Sequence, residues 1–109
     1  MENDCETQFV YPISNLDPAF VGELARQPEV LIGGSDAGAH LQQFCGVGDA
    51  TLFLTRHVRD RGDLSIEQAV MRLTSEPARL LGLAGRCTIE SGAIGYINIF
   101  NLEELEWKH

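Results

Sequence analysis

Glu29-Val30-Leu31-Ile32-Gly33-Gly34-Ser35-Asp36-Ala37-Gly38-Ala39-His40 joins an apolar run to a glycine-bearing segment that carries a carboxylate and an imidazole. The continuous apolar half, closed by glycine, has the pattern of a strand buried on both faces of a parallel sheet. Upstream, Gln8-Phe9-Val10-Tyr11 reads as a strand ended by Pro12, and Asp17-Pro18 as an N-cap followed by proline at the first helical position. Phe20, Val21, Leu24 and Ala25 fall on one helical face, so a helix should run to the Gln27-Pro28 break. Strand, helix and buried strand in this order predict a β-α-β unit with a right-handed crossover and an α/β class.

Beyond the glycines the pattern turns helical. Ala50 to Arg61 places Phe53, Leu54 and Val58 on one face, and Gly62 follows as a stop. Ser65-Ile66-Glu67-Gln68 has capping-box spacing ahead of Ala69, Val70 and Leu73, and a short helix is expected from Glu76-Pro77 through Leu81, ended by Gly82. The tail changes character: Thr88-Ile89, a Ser91-Gly92 turn and the alternating Tyr96-Ile97-Asn98-Ile99-Phe100 predict a second, all-β layer.

Composition excludes several classes of partner. The chain has 109 residues, 8 Lys+Arg against 16 Asp+Glu, and a formal charge of −8. Such an acidic balance is repelled by phosphate backbones and anionic membrane surfaces, so neither nucleic acid nor membrane is expected as a partner. Apolar runs fall far short of the roughly 20 residues that span a bilayer. The acidic start Met1-Glu2-Asn3-Asp4 is unlike a signal peptide, which makes the cytoplasm the expected compartment. Cys5, Cys45 and Cys87 are odd in number and widely spaced, which fits reduced, packed thiols better than a disulfide framework.

Asp36 is the position with the most chemical content. It follows the apolar run where the chain turns, at the edge of an α/β sheet where ligands and catalytic groups collect. A carboxylate there can ligate a cation through one oxygen and take a proton from bound water through the other; equally, Ser-Asp beside glycine caps turns by accepting backbone N–H bonds. His40 is close enough in sequence to share that mouth, and His57 sits on the helix beside Val58. Catalytic zinc takes three protein ligands and water, and the spacings of Asp36, His40, Cys45 and His57 match no local zinc pattern.

Several blocks together resemble one family: Val30 to His40, Thr51 to Arg59, Leu64 to Val70, Arg72-Leu73-Thr74-Ser75-Glu76-Pro77-Ala78 and Leu81-Gly82-Leu83. The series is similar to the C-terminal part of metal-dependent amidohydrolases of the N-acyl-D-amino-acid deacylase type. That resemblance implies a C-terminal fragment of a (β/α)₈ TIM barrel over residues 1–84, with Gln8–Tyr11 and Glu29–Gly33 as its last two strands. It assigns residues 85–109 to the strands of a small β-sandwich. It also implies hydrolysis of a non-peptide amide C–N bond, one or two divalent ions such as Zn²⁺, and Asp36 as metal ligand and proton shuttle, with Gly38 and His40 lining the substrate mouth. A small N-acyl amide would be the substrate of the complete enzyme. A barrel needs about 250 residues, and the family's His-x-His and further ligands belong to upstream strands. The isolated chain is therefore expected to be inactive, to hold no ion tightly, and to pair with the N-terminal barrel portion or with itself. The alternative expectation is a non-catalytic, small acidic α/β interaction module.

Overall fold

The computed structural model describes residues 16–34 and 48–106, and over these the chain is helical. Helix α1 (Pro18–Arg26) starts as its sequence demands, with the Asp17 carboxylate accepting from the Ala19 N–H at 2.9 Å and proline in the first turn. It ends at Gln27, whose N–H returns to the Leu24 carbonyl at 3.0 Å. Its buried positions are the small residues Gly22 and Ala25, which allow a close approach by the chain packed against them.

Helix α2 (Asp49–Phe53) runs on into a π-helical segment, Leu54–Asp60. The Thr55 hydroxyl donates back to the carbonyls of Thr51 (2.9 Å) and Leu52 (3.2 Å), competing with the regular ladder. One turn on, the Arg61 N–H reaches the Arg56 carbonyl five residues back at 3.1 Å, the wider spacing that defines a π turn. Helix α3 (Ile66–Leu73) carries the expected capping box: Gln68 N–H donates to Ser65 Oγ at 3.3 Å, and Ser65 N–H to Gln68 Oε1 at 3.0 Å. Helix α4 (Ser75–Leu80) follows almost directly, and Gly82 at φ +68° turns the chain away. Ala25, Phe53, Leu54, Val58, Leu64 and Ala69 form the core, with Ile32, Ile66, Leu73, Leu102 and Leu105 packed against it.

The α/β expectation is overturned among the described residues, which contain no strand; neither a TIM-barrel fragment nor a β-sandwich is present there. Residues 29–33, read as a buried strand, are irregular, and Leu31 is exposed. The physical reason lies in their hydrogen bonds. The Val30 N–H closes a turn onto the Gln27 carbonyl at 3.2 Å, while the Gln27 and Val30 carbonyls accept from the Arg72 guanidinium (2.5 and 2.6 Å), so a side chain replaces the ladder. The tail also forms no strand. Positive φ at Gly85, Cys87 and Gly92 turns the chain ahead of Tyr96–Phe100, and local bonds such as Ile94 N–H to Gly85 O at 2.8 Å stand where a partner strand was expected. The first expected strand, Gln8–Tyr11, lies outside the described residues.

Arg72 is therefore the main tie between α3 and the end of α1. Its guanidinium is buried and donates to the carbonyls of Ala25, Gln27 and Val30 and to Glu76 Oε2, spending four of its five N–H groups. Arg72→Met keeps the stem and deletes every donor, so the Ala25, Gln27 and Val30 carbonyls and the Glu76 carboxylate all lose the guanidinium, and the Gln27 carbonyl keeps only the Val30 N–H. The substitution should lower the free energy of unfolding by about 2–4 kcal/mol. Arg72→Lys should recover only a minor part, because a single ammonium cannot span the acceptors. Urea unfolding of the three proteins checks both.

Candidate functional site

The charged cluster that the helices assemble is centred on Asp63. Gly62, at φ +63°, turns the chain beneath the π-helical segment, and the His57 carbonyl accepts the N–H groups of Asp63 (2.7 Å) and Leu64 (3.4 Å). This brings the Asp63 carboxylate back to the His57 ring, with His57 Nδ1 2.8 Å from Asp63 Oδ2. That contact places a proton on Nδ1, since the carboxylate can only accept. The ring is buried and packs on Phe53 at 5.4 Å between centroids. Arg61 Nε donates to the same Oδ2 at 2.7 Å. From α1, Arg26 donates to the Asp63 main-chain carbonyl at 3.1 Å, with the same nitrogen 3.9 Å from Oδ1.

The carboxylate also lies directly against α1, where a Cβ added at Gly22 would overlap it. Glycine at position 22 is thus required by close approach, not by backbone conformation. The site consequently joins α1, the π-helical segment and the loop before α3.

Chemically, the His57–Asp63 pair is an oriented imidazole–carboxylate dyad. An orienting carboxylate is what a histidine base needs, but a nucleophile within reach of the second ring nitrogen completes such machinery. No such contact occurs among the described residues, and His57 is almost fully covered, so the dyad acts as a clamp. It does not fit a metal ion: Arg26 and Arg61 already bring positive charge to the carboxylate, and no group of three or more His, Cys, Asp or Glu that could hold an ion occurs among the described residues.

Asp36, Gly38 and His40, the residues singled out from the sequence, lie outside the described residues, as do Cys5 and Cys45. Cys87 is a free, exposed thiol and not a packed one. A helix-face position such as that of His57 suits packing or solvent alike; the structure buries it, and its partner Asp63 is not among the residues singled out from the sequence. The signal was present in Arg61-Gly62-Asp63, a glycine turn that reverses the chain and returns an acid to the last turn of a helix holding a histidine.

No protein-family model and no solved structure matches the chain. An uncharacterized protein of Mycobacterium bovis is 40% identical over 84 residues, covering 73% of this chain. Two uncharacterized proteins of Mycobacterium tuberculosis match to the same extent. The chain spans only 14% of the length of these relatives. No helix among the described residues is long and apolar enough to cross a membrane.

Two outcomes test the clamp. Gly22→Ala should cost about 1–3 kcal/mol by forcing the carboxylate off its partners, and much less in an Asp63→Ala background; a double-mutant cycle by urea unfolding reads the coupling. Second, Arg61 above all, and then His57, holds the Asp63 carboxyl below its ordinary range. A folded value below the unfolded one gives stability that is fully present above the unfolded value, about 3.9, and is lost as pH falls through the folded value. Asp63→Asn should therefore flatten the acid limb of the stability–pH curve while lowering its neutral plateau.

Proposed function

We propose that the chain forms part of a metal-dependent amidohydrolase that cleaves a non-peptide amide C–N bond of an N-acyl amino acid, with the remaining machinery supplied by further polypeptide. The observation that carries this reading is the ordered series of family-like blocks, Ser35 to His40, Thr51 to Arg59, Leu64 to Val70 and Arg72 to Ala78. Two further facts support it. The described blocks contain the side chains that hold the helical unit together: Arg59, the Ser65–Gln68 cap, and Arg72 with Glu76. The mycobacterial relatives are several times longer than the matched region, which leaves ample chain for other ligands.

In this reading Asp36 is a ligand of the metal, and it takes the proton of the attacking water and delivers it to the leaving nitrogen. Gly38 and His40 contact the substrate. No step is assigned to the ion, because the described residues do not fit one. A second reading, a non-catalytic interaction module, is favoured by the exposed apolar tail, in which Ile89 is 94% and Ile99 96% accessible.

The isolated chain should retain no stoichiometric zinc after dialysis and should not hydrolyse N-acyl amino acids. Co-expression with a longer relative from which the matching region has been deleted should restore both zinc uptake and turnover. Asp36→Asn should then abolish turnover while the two polypeptides still co-purify. Restored turnover that ignores Asp36→Asn would falsify the assignment of Asp36. Association without any turnover would favour the interaction module.

A further inference from the structure

A groove beside α4 is not used by the reading above. It lies between Met71 on α3, Glu76, Ala78 and Arg79 on α4, and the returning loop that carries Leu83 and Arg86, and offers about 410 Å³ of space open to solvent. Its shape follows from two left-handed glycines. Gly82 and Gly85, both at φ +68°, fold the chain back beside α4, where the Leu83 N–H bonds the Ala78 carbonyl at 2.9 Å. The Ile94 N–H to Gly85 carbonyl bond at 2.8 Å closes the far side of the loop.

The lining divides into an apolar floor and a charged wall. Met71, Ala78 and Leu83 supply the floor. The Glu76 carboxylate is committed to Arg72 at 2.9 Å, and the Thr88 hydroxyl to Glu90 at 2.9 Å. Arg79 has no acceptor among the described residues. Arg86 has none either, and its guanidinium stands 5.5 Å over the Tyr96 ring. A guanidinium over an aromatic face is attracted by the ring while its N–H groups remain available to a carboxylate. With Glu76 neutralised by its own partner, the uncommitted charge of the groove is positive in a chain whose formal charge is −8.

We propose that this groove binds a small alkyl carboxylate, with the head group on Arg79 and Arg86 and the hydrocarbon along Met71, Ala78 and Leu83. The volume lies within the roughly 300–1,000 Å³ of small-molecule sites. A carboxylate suits a wall with two planar forks whose nearby acid, Glu76, is already paired with Arg72, and an alkyl body suits a floor that presents no free donor. The site is independent of Asp36 and of amide hydrolysis.

Decanoate titrated into the 109-residue chain, followed by calorimetry and by amide NMR shifts, tests it. Saturable one-to-one binding is expected, with shifts concentrated at Ala78, Leu83 and Arg86. The double variant Arg79→Gln/Arg86→Gln should weaken decanoate about tenfold or more, and decanol should bind the original chain more weakly by a similar factor. Both arginines are exposed, and the amide spectrum of the variant reports directly that it is folded. Equal affinity for decanoate and decanol, an unchanged double variant, or shifts spread over exposed residues such as Ile97 and Ile99 overturn the proposal. Acetate binding as tightly as decanoate does so too, since the floor would then contribute nothing.

Discussion

Guanidinium groups donating to main-chain carbonyls hold the described parts of this chain in register. Arg72 reaches Ala25, Gln27 and Val30; Arg26 reaches Asp63; Arg59 reaches Leu102 and Leu105. These contacts span 37 to 47 positions in sequence, so each closes a long loop. A sheet would satisfy such carbonyls through a ladder; here irregular segments must find donors elsewhere, and the fork of arginine supplies several at once. Among the described residues the apolar core is modest and includes no large side chain that is completely buried. Directional bonds from arginine therefore carry a share of the specification that close packing of large residues carries in other folds.

The same logic explains why the acidic excess does not pull the unit apart. Several of the positive groups bond neutral carbonyls, whose strength does not depend on the sign of the surrounding charge. Asp60 and Glu76 each pair with one guanidinium, whereas Asp63 meets Arg61, His57 and Arg26, groups from three elements. Its place is fixed by two features of different kind: the left-handed Gly62 that reverses the chain, and the absent side chain at Gly22 that leaves room. The π-helical widening before it lets the last turn hand its carbonyl at His57 to both Asp63 and Leu64.

This pattern of bonding also determines how much was legible in the residues. Local signals were read correctly because their partners are neighbours: Asp17-Pro18 opening α1, Ser65 with Gln68 capping α3, Gly62 and Gly82 ending helices. Val30-Leu31-Ile32 misled because a short apolar run does not say whether a strand or an arginine will satisfy its backbone. A carbonyl acceptor leaves no mark in the sequence, since every residue offers one, so the Arg72 ties could not be foreseen from residue types. Cys87 in the left-handed region was equally hidden, since nothing about a cysteine announces positive φ. Of the candidate site, His57 was visible and its partner was not. Asp36, Gly38 and His40 rest on sequence resemblance.

The tail shows how one guanidinium can serve two purposes. Arg59 Nε is held by Asp60 at 2.7 Å, while its NH1 group donates to Leu105 O at 2.6 Å and more weakly to Leu102 O at 3.4 Å. The Asp60 bond first, and the nearby Glu103 and Glu106 charges after it, keep the Arg59 proton more firmly bound than usual. The bond to Asp60 fixes the plane of the guanidinium, and a fixed plane aims the remaining donors at the tail. Leu102 and Leu105 can then rest against the core although the intervening Glu103 and Glu104 face solvent. The exposed apolar residues from Ile89 to Phe100 are thus tethered at one end by local turns at Gly85 and at the other by Arg59.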